Sequence, residues 1–279
     1  MLNRTAPVKI SVISSQLHRS SSSMESFFKG MILPLLLLPA IRLMGVDAKR
    51  PPFSPGPWKE AHTTFYGSPD GSGTMQGACG YGDLQEGGYG LETTSLSSSL
   101  WNNGAACGAC FEIRCHGSPR WCKPGAPSIV VTATNSGAQD VFSDQTPDNF
   151  DLPQPAFLQI AEYEGGIVPV QYRRVPCKRE GGITFTISSK SNPWFMLVLV
   201  SNVGGAGDVQ SLSVKGSESQ AWREMRRNWG QYWEINDNLV GQSLSFRVRA
   251  SDRRTTTSWH VAPSNWQFGQ TFQGKNFRE

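Results

Sequence analysis

Short alternating or wholly apolar runs, each bounded by Gly, Pro and Asn, set the pattern of this chain. CFEIRC (110–115), SIVVTAT (128–134) and IVPVQYRRV (167–175) read as strands, because segments of this length between turn residues fit pleated structure and none continues as a helix. GGITFTI (181–187), FMLVLVSNV (195–203), QSLSVKG (210–216) and QSLSFRVRA (242–250) repeat the pattern further on, with hardly a segment of 3.6-residue period. The expected class is all-β, with a first β domain and then a β-sandwich of about 100 residues. The boundary is placed in the turn cluster CKREGG, 177–182, just after the last cysteine.

One apolar run has a different meaning. MILPLLLLPAI (31–41) follows Lys29 and precedes GVDA, and it reads as a signal peptide cleaved near Ala48. A membrane anchor needs about 20 apolar residues, and Arg42 interrupts this run first. Residues 1–23 lie upstream of the pattern, so Met24 is the more natural start; their Ser and Arg content is weak support for a second targeting signal. The expected organisation is a leader (1–48), a linker (49–57), a first domain (58–181) and a second (182–279), with no transmembrane segment once the leader is removed.

Composition agrees with a loop-rich β protein: of 279 residues only 17% are charged, and there are 29 Gly, 18 Pro and 9 Trp. The formal net charge of +4 nearly disappears with the leader, which takes five of the 26 basic residues and two of the 22 acidic ones. Net charge is therefore no sign of a nucleic-acid partner, and none is expected. The halves differ, however: residues 58–181 carry eight basic and thirteen acidic side chains, and 182–279 carry eleven and seven.

All six cysteines, Cys79, Cys107, Cys110, Cys115, Cys122 and Cys177, fall in the first half. In a cytosolic chain the CGAC at 107–110 would raise zinc or redox chemistry. Behind a signal peptide, an even count without a His-rich partner cluster argues for three structural disulfides, with no metal and no cofactor.

Eight strings then occur in order: TFYG at 64, GACGYG at 77, CGACFEIRC at 107, FDL at 150, YRRVPC at 172, NVGGAGDV at 202, NWGQYW at 228 and NWQFGQTF at 265. Together they resemble the plant expansins, closest to the alpha type, over essentially all of 58–272. The resemblance implies a six-stranded double-psi β-barrel, similar to family-45 endoglucanases, followed by an immunoglobulin-like β-sandwich that binds carbohydrate. It implies the pairs Cys79–Cys107, Cys110–Cys177 and Cys115–Cys122. It also implies a monomeric, secreted protein of the plant cell wall that loosens non-covalent polymer contacts without hydrolysis, with cellulose and matrix polysaccharides such as xyloglucan as partners. One departure from the family pattern is the short segment 136–149, which lacks two cysteines and has Asn149 where the family has His; the groove beside it is expected to be altered.

Glycosidases require two carboxylates flanking the bond. The resemblance aligns Asp151 with the acid of family-45 endoglucanases, while the position of the base, two residues after the Thr-x-Tyr of Thr64 and Tyr66, holds the hydroxyl of Ser68. Thr64, Tyr66 and Asp151 are therefore expected to form a glucan groove with a lone acid; a capping or loop role is the bland account of Asp151. A true endoglucanase would need Asp70 or Asp83 as base, and a binding-only protein would follow if the short segment abolished activity. Asp140, Asp144 and Asp148 are expected to be solvated loop charges. GGAGD at 204–208 lacks the last Gly of a dinucleotide fingerprint and is read as a turn. Among Trp194, Phe195, Trp229, Tyr232 and Trp233, about half are expected in the core. The resemblance assigns Trp194, Phe195 and Trp229 to an exposed polysaccharide platform, and Trp222 and Trp259 are left as core or undecided.

Overall fold

The computed structural model describes residues 51–125, 127–138 and 148–278. The leader, most of the short segment at 136–149, with Asp140 and Asp144, and Glu279 lie outside the described residues. Among the described residues no helix is long and apolar enough to cross a membrane.

Six strands close a barrel in the order β1-β5-β2-β4-β3-β6: β1 (Lys59–Tyr66), β2 (Thr93–Leu96), β3 (Cys110–Cys115), β4 (Ser128–Ser136), β5 (Asn149–Pro153) and β6 (Val168–Val175). β1 runs parallel to β5 and β2 parallel to β4, while the other neighbours are antiparallel. Closure removes every strand edge. Phe111, Ile113, Val131, Phe150, Leu152, Val170 and Tyr172 fill the interior, with Phe150 edge-on to Phe111 and Tyr172. β3, β4 and β6 match the apolar runs of the sequence. β2, TTSL, is polar yet fully buried, and no alternation marks it.

Eight further strands form one sheet in the order β13-β12-β9-β10-β11-β8-β7-β14, folded on itself as a sandwich: β7 (Thr184–Ile187), β8 (Met196–Ser201), β9 (Val209–Gly216), β10 (Arg223–Trp229), β11 (Tyr232–Ile235), β12 (Leu244–Ala250), β13 (Thr255–Ala262) and β14 (Thr271–Gln273). Its core draws Phe185, Val198 and Trp233 from one half and Leu212, Phe246 and Val248 from the other, and the Phe185 and Phe246 rings stack at 4.5 Å. The apolar faces of the two halves meet, so their outer faces point apart.

Three disulfides tie the barrel and its loops: Cys79–Cys107, Cys110–Cys177 and Cys115–Cys122. The first also builds the junction with the sandwich. The fully buried Gln231 donates its backbone N–H to the Cys79 carbonyl and its side-chain Nε2–H to the Cys107 carbonyl, each at 2.9 Å. Cys177 and Gly205 exchange two backbone hydrogen bonds, and Arg174 reaches Asp208 and the Ala206 carbonyl. Buried polar groups satisfied in this way fix one orientation of the barrel against the sandwich.

Gly230 permits that approach. It has φ +50°, and a Cβ there would lie 2.5 Å from the Cys79 carbonyl oxygen and 2.6 Å from that of Ala78. Gly230→Ala is therefore expected to lower stability by about 1–3 kcal/mol, because backbone rather than a flexible side chain must yield. An unchanged urea midpoint for the variant would show that the junction is loose.

Candidate functional site

Register places a set of polar side chains on the outside of the barrel. Thr64 on β1 pairs with Asp151 on β5, Asp151 pairs with Ser95 on β2, and Ser95 pairs with Asn135 on β4. Neighbours in register share a sheet face, and Tyr66, two residues after Thr64, joins them. The alternate residues Ala61, Phe65, Phe150 and Leu152 point into the core. A β-bulge at Thr94/Ser95 against Ala133/Asn135 inserts Thr134 and turns Asn135 to the outer face. The structure thus brings Thr64, Tyr66 and Asp151 together and adds Ser95 and Asn135, which sequence reasoning missed; the polar β2 gives no alternation to mark Ser95, and the bulge breaks the alternation of β4 at Asn135.

Two atoms of this face are buried and without a hydrogen-bond partner among the described residues: Asp151 Oδ1 and the Tyr66 hydroxyl. Desolvation raises the Asp151 carboxyl from 3.8 to about 6. Burial is also the main reason the Tyr66 hydroxyl is raised, with the neighbouring Asp151 charge adding to it; Ser95 and Asn135 lie close and oppose the shift without completing a hydrogen bond. Unsatisfied buried polar atoms are rare in native structures, and two of them on one face, beside a desolvated carboxyl, make this face the candidate ligand site. Thr64 differs, since its hydroxyl donates to the Gly166 carbonyl at 3.0 Å and braces the wall of the groove. Asn135 is also engaged, its Oδ1 accepting from the Ala78 and Ser136 N–H groups.

The other acids are committed to local structure. Asp70 accepts from the Ser72 N–H, which holds its carboxyl below the usual range, and Asp83 accepts from the N–H groups of Gln85 and Glu86. Asp148 is not a freely solvated charge: it accepts from the Tyr172 hydroxyl and from Ser99, pinning the start of β5 to β6. The expectation failed because a polar loop sequence does not reveal a phenol on β6, 24 residues further along the chain. Among the described residues no cluster of three or more His, Cys, Asp or Glu could hold a metal.

A second set of groups lies on the sandwich. Asn192 and Phe195 exchange backbone hydrogen bonds across Pro193 and Trp194, and the Asn192 Oδ1 accepts from the Trp194 N–H. Proline sets the φ of this tight turn, and Trp194 stands out 72% exposed at its tip. Trp229, at the end of β10, is 47% exposed and lies 4.8 Å from the Tyr232 ring. Trp233 is in the core, while Phe195 and Tyr232 are half-buried. Gly80 lets Trp229 and Tyr232 close onto the barrel, since a Cβ there would meet both rings within 2.9 Å. The same loop bonds to Asn135 through Ala78. Groove and Trp229 therefore flank one loop. Trp222 and Trp259 are not core: Trp259 is 59% exposed and their rings are 5.4 Å apart.

A six-stranded closed barrel joined rigidly to a β-sandwich, with one desolvated carboxyl on the barrel face, defines the class of two-domain β proteins to which this chain belongs. The family model for the Expansin C-terminal domain matches residues 183–263, and the model DPBB_1, described as Lytic transglycolase, matches 93–172. Expansin-A32 of Oryza sativa subsp. japonica is 53% identical over 81% of this chain and 86% of its own length, and Expansin-A23 of Arabidopsis thaliana is 50% identical over 78% and 80%. The crystal structure of an apo Clavibacter michiganensis expansin has the same fold at 16% identity, with a TM-score of 0.61 over 79% of this chain and 97% of that one. A mutant of that expansin, solved in complex with cellohexaose, matches with a TM-score of 0.59 and 15% identity over 78% and 96%. The chain belongs to the expansin family.

Proposed function

We propose that this protein is secreted to the plant cell wall, its leader removed near Ala48, and loosens non-covalent contacts between wall polymers without hydrolysing them. The barrel groove of Thr64, Tyr66, Ser95, Asn135 and Asp151 holds a glucan strand, such as cellulose or xyloglucan, and Trp194, Phe195 and Trp229 anchor the protein to cellulose by stacking on sugar C–H faces. The complex of a similarly folded expansin with cellohexaose supports this reading.

One observation carries it: among the described residues the groove face holds a single acid, desolvated and unpartnered. Hydrolysis needs a second carboxylate to activate water or attack carbon. Asp70, fully exposed and held below the usual range, gains no basicity from its turn. A protonated Asp151, by contrast, donates a hydrogen bond to a sugar oxygen and displaces a contact that oxygen made to a neighbouring polymer. Near pH 5 such a group is mostly protonated; near pH 7 it is mostly charged.

The test measures creep of isolated walls under load beside reducing-sugar release from soluble and crystalline glucans. Extension at pH 5 without new reducing ends is the expected result. Reducing ends formed at a rate that accounts for the extension, and lost on Asp70→Asn or Asp83→Asn, would overturn it in favour of an endoglucanase; cellulose binding without extension would reduce the protein to a binding module.

A further inference from the structure

The outer face of the β9–β12–β13 half of the sandwich points away from the half that carries Tyr232, and it has chemistry of its own. Leu212, Phe246 and Val248 point to the core, so Ser213, Arg247 and Thr257, paired across the three strands, point outward. Trp222 precedes β10 on this side, with the Arg247 guanidinium 4.2 Å from its ring centroid and Trp259 5.4 Å away. The register of β12 against β13 shifts between Leu244 and Phe246, and His260, with φ +48°, lies in the extra turn of chain. That bulge leaves Trp259 standing clear of the sheet.

Beside Trp259 a cleft of about 850 Å³ opens between β13 and the C-terminal tail, lined by Thr257, Arg253, Lys275 and Arg278. Its volume falls in the range of ligand sites. The charge of this region is unbalanced. Of the acids in the sandwich, Asp208, Glu234, Asp237 and Asp252 are each paired with an arginine. Arg247, Arg249, Arg253, Lys275 and Arg278 have no ion pair among the described residues, and one carboxylate, Glu224, shares the sheet face. Two tryptophans among five unpaired cations form a surface that neutral glucan does not require.

We propose that this face is a second polysaccharide site, for a carboxylated polymer of the polyuronate class. Each sugar of such a polymer offers a flat C–H face to an indole and a carboxylate to a guanidinium, whose planar fork matches it. The assignment of a wall polymer as occupant rests on the function proposed above. The two sites face apart, so one molecule bound to cellulose through Trp194 and Trp229 holds a polyuronate chain on its other side.

The experiment measures binding of the purified protein to polygalacturonate, to the same polymer fully methyl-esterified, to a single-stranded DNA oligonucleotide and to cellulose. Expected is salt-sensitive binding to polygalacturonate that weakens about tenfold on Trp259→Ala, is lost on combined Arg253→Glu and Lys275→Glu, and is at least about tenfold weaker for the esterified polymer, with cellulose binding unchanged in every variant. Trp259 is exposed, so its removal leaves the core intact, and retained cellulose binding reports the fold. Polygalacturonate binding that survives both variants overturns the proposal. So does an oligonucleotide bound as tightly and indifferent to Trp259→Ala, which would assign a general polyanion surface. Loss of cellulose binding by the unmodified protein would instead count against the wall-protein reading, and polygalacturonate binding remains a separate measurement.

Discussion

Asp151→Ala is expected to abolish wall extension and leave cellulose binding unchanged, because the function proposed above assigns the groove acid and the tryptophans of the sandwich to different parts of the polymer. Asp151→Asn separates size from titration: it keeps a hydrogen-bond donor but cannot ionise, so the pH profile of extension should become flat. The unmodified protein should lose about nine-tenths of its activity between pH 5 and pH 7, as a carboxyl raised to about 6 gives up its proton. The same shift has a consequence for stability. A carboxyl whose folded value lies above its ordinary 3.8 favours the folded state while protonated. That contribution is complete below about pH 3.8 and is lost as pH rises through about 6. A carboxyl raised from 3.8 to about 6 by burial sets an upper bound of about 3 kcal/mol, which partial exposure reduces to about 1 kcal/mol. Asp151→Asn should thus raise the urea midpoint at pH 7 and not at pH 3.5. Extension by the Ala variant with its ordinary pH profile would make Asp151 a structural residue of β5.

Changing both Trp194 and Trp229 to Ala is expected to weaken cellulose binding about 30-fold, since each stacked indole contributes about 1 kcal/mol. Trp194 is the cleaner half of the pair. It stands on a turn closed by Asn192 and Pro193, so its loss leaves the core untouched, and Trp194→Ala alone should weaken binding about fivefold at unchanged stability. Trp229 also packs on Gly80 and Tyr232, so part of its effect passes through the junction with the barrel. Full-strength binding by a folded double variant would remove these two residues from the binding surface.

The sequence by itself determined the class of fold and the family. Strands with a continuous apolar run or a clean alternation, such as β3, β4, β8 and β12, are legible because each residue's burial follows from its neighbours in the chain. The ordered motifs named Asp151, Thr64 and Tyr66 together. β2 and β10 were not legible. TTSL is polar but enclosed by β4 and β5, and REMRRNW is charged because only Met225 of its strand reaches the core. Tertiary structure alone decided which side chains share the groove face: Ser95 arrives there through antiparallel pairing of β2 with β5, and Asn135 through parallel pairing of β4 with β2 and a bulge. It also decided that Asp148 is pinned by Tyr172 and that Trp259 is exposed. The physical reason is common to these cases. Desolvation, pairing and exposure depend on which distant strands close over a residue, and a linear pattern of hydrophobic positions records only which way a side chain alternates, not what it meets.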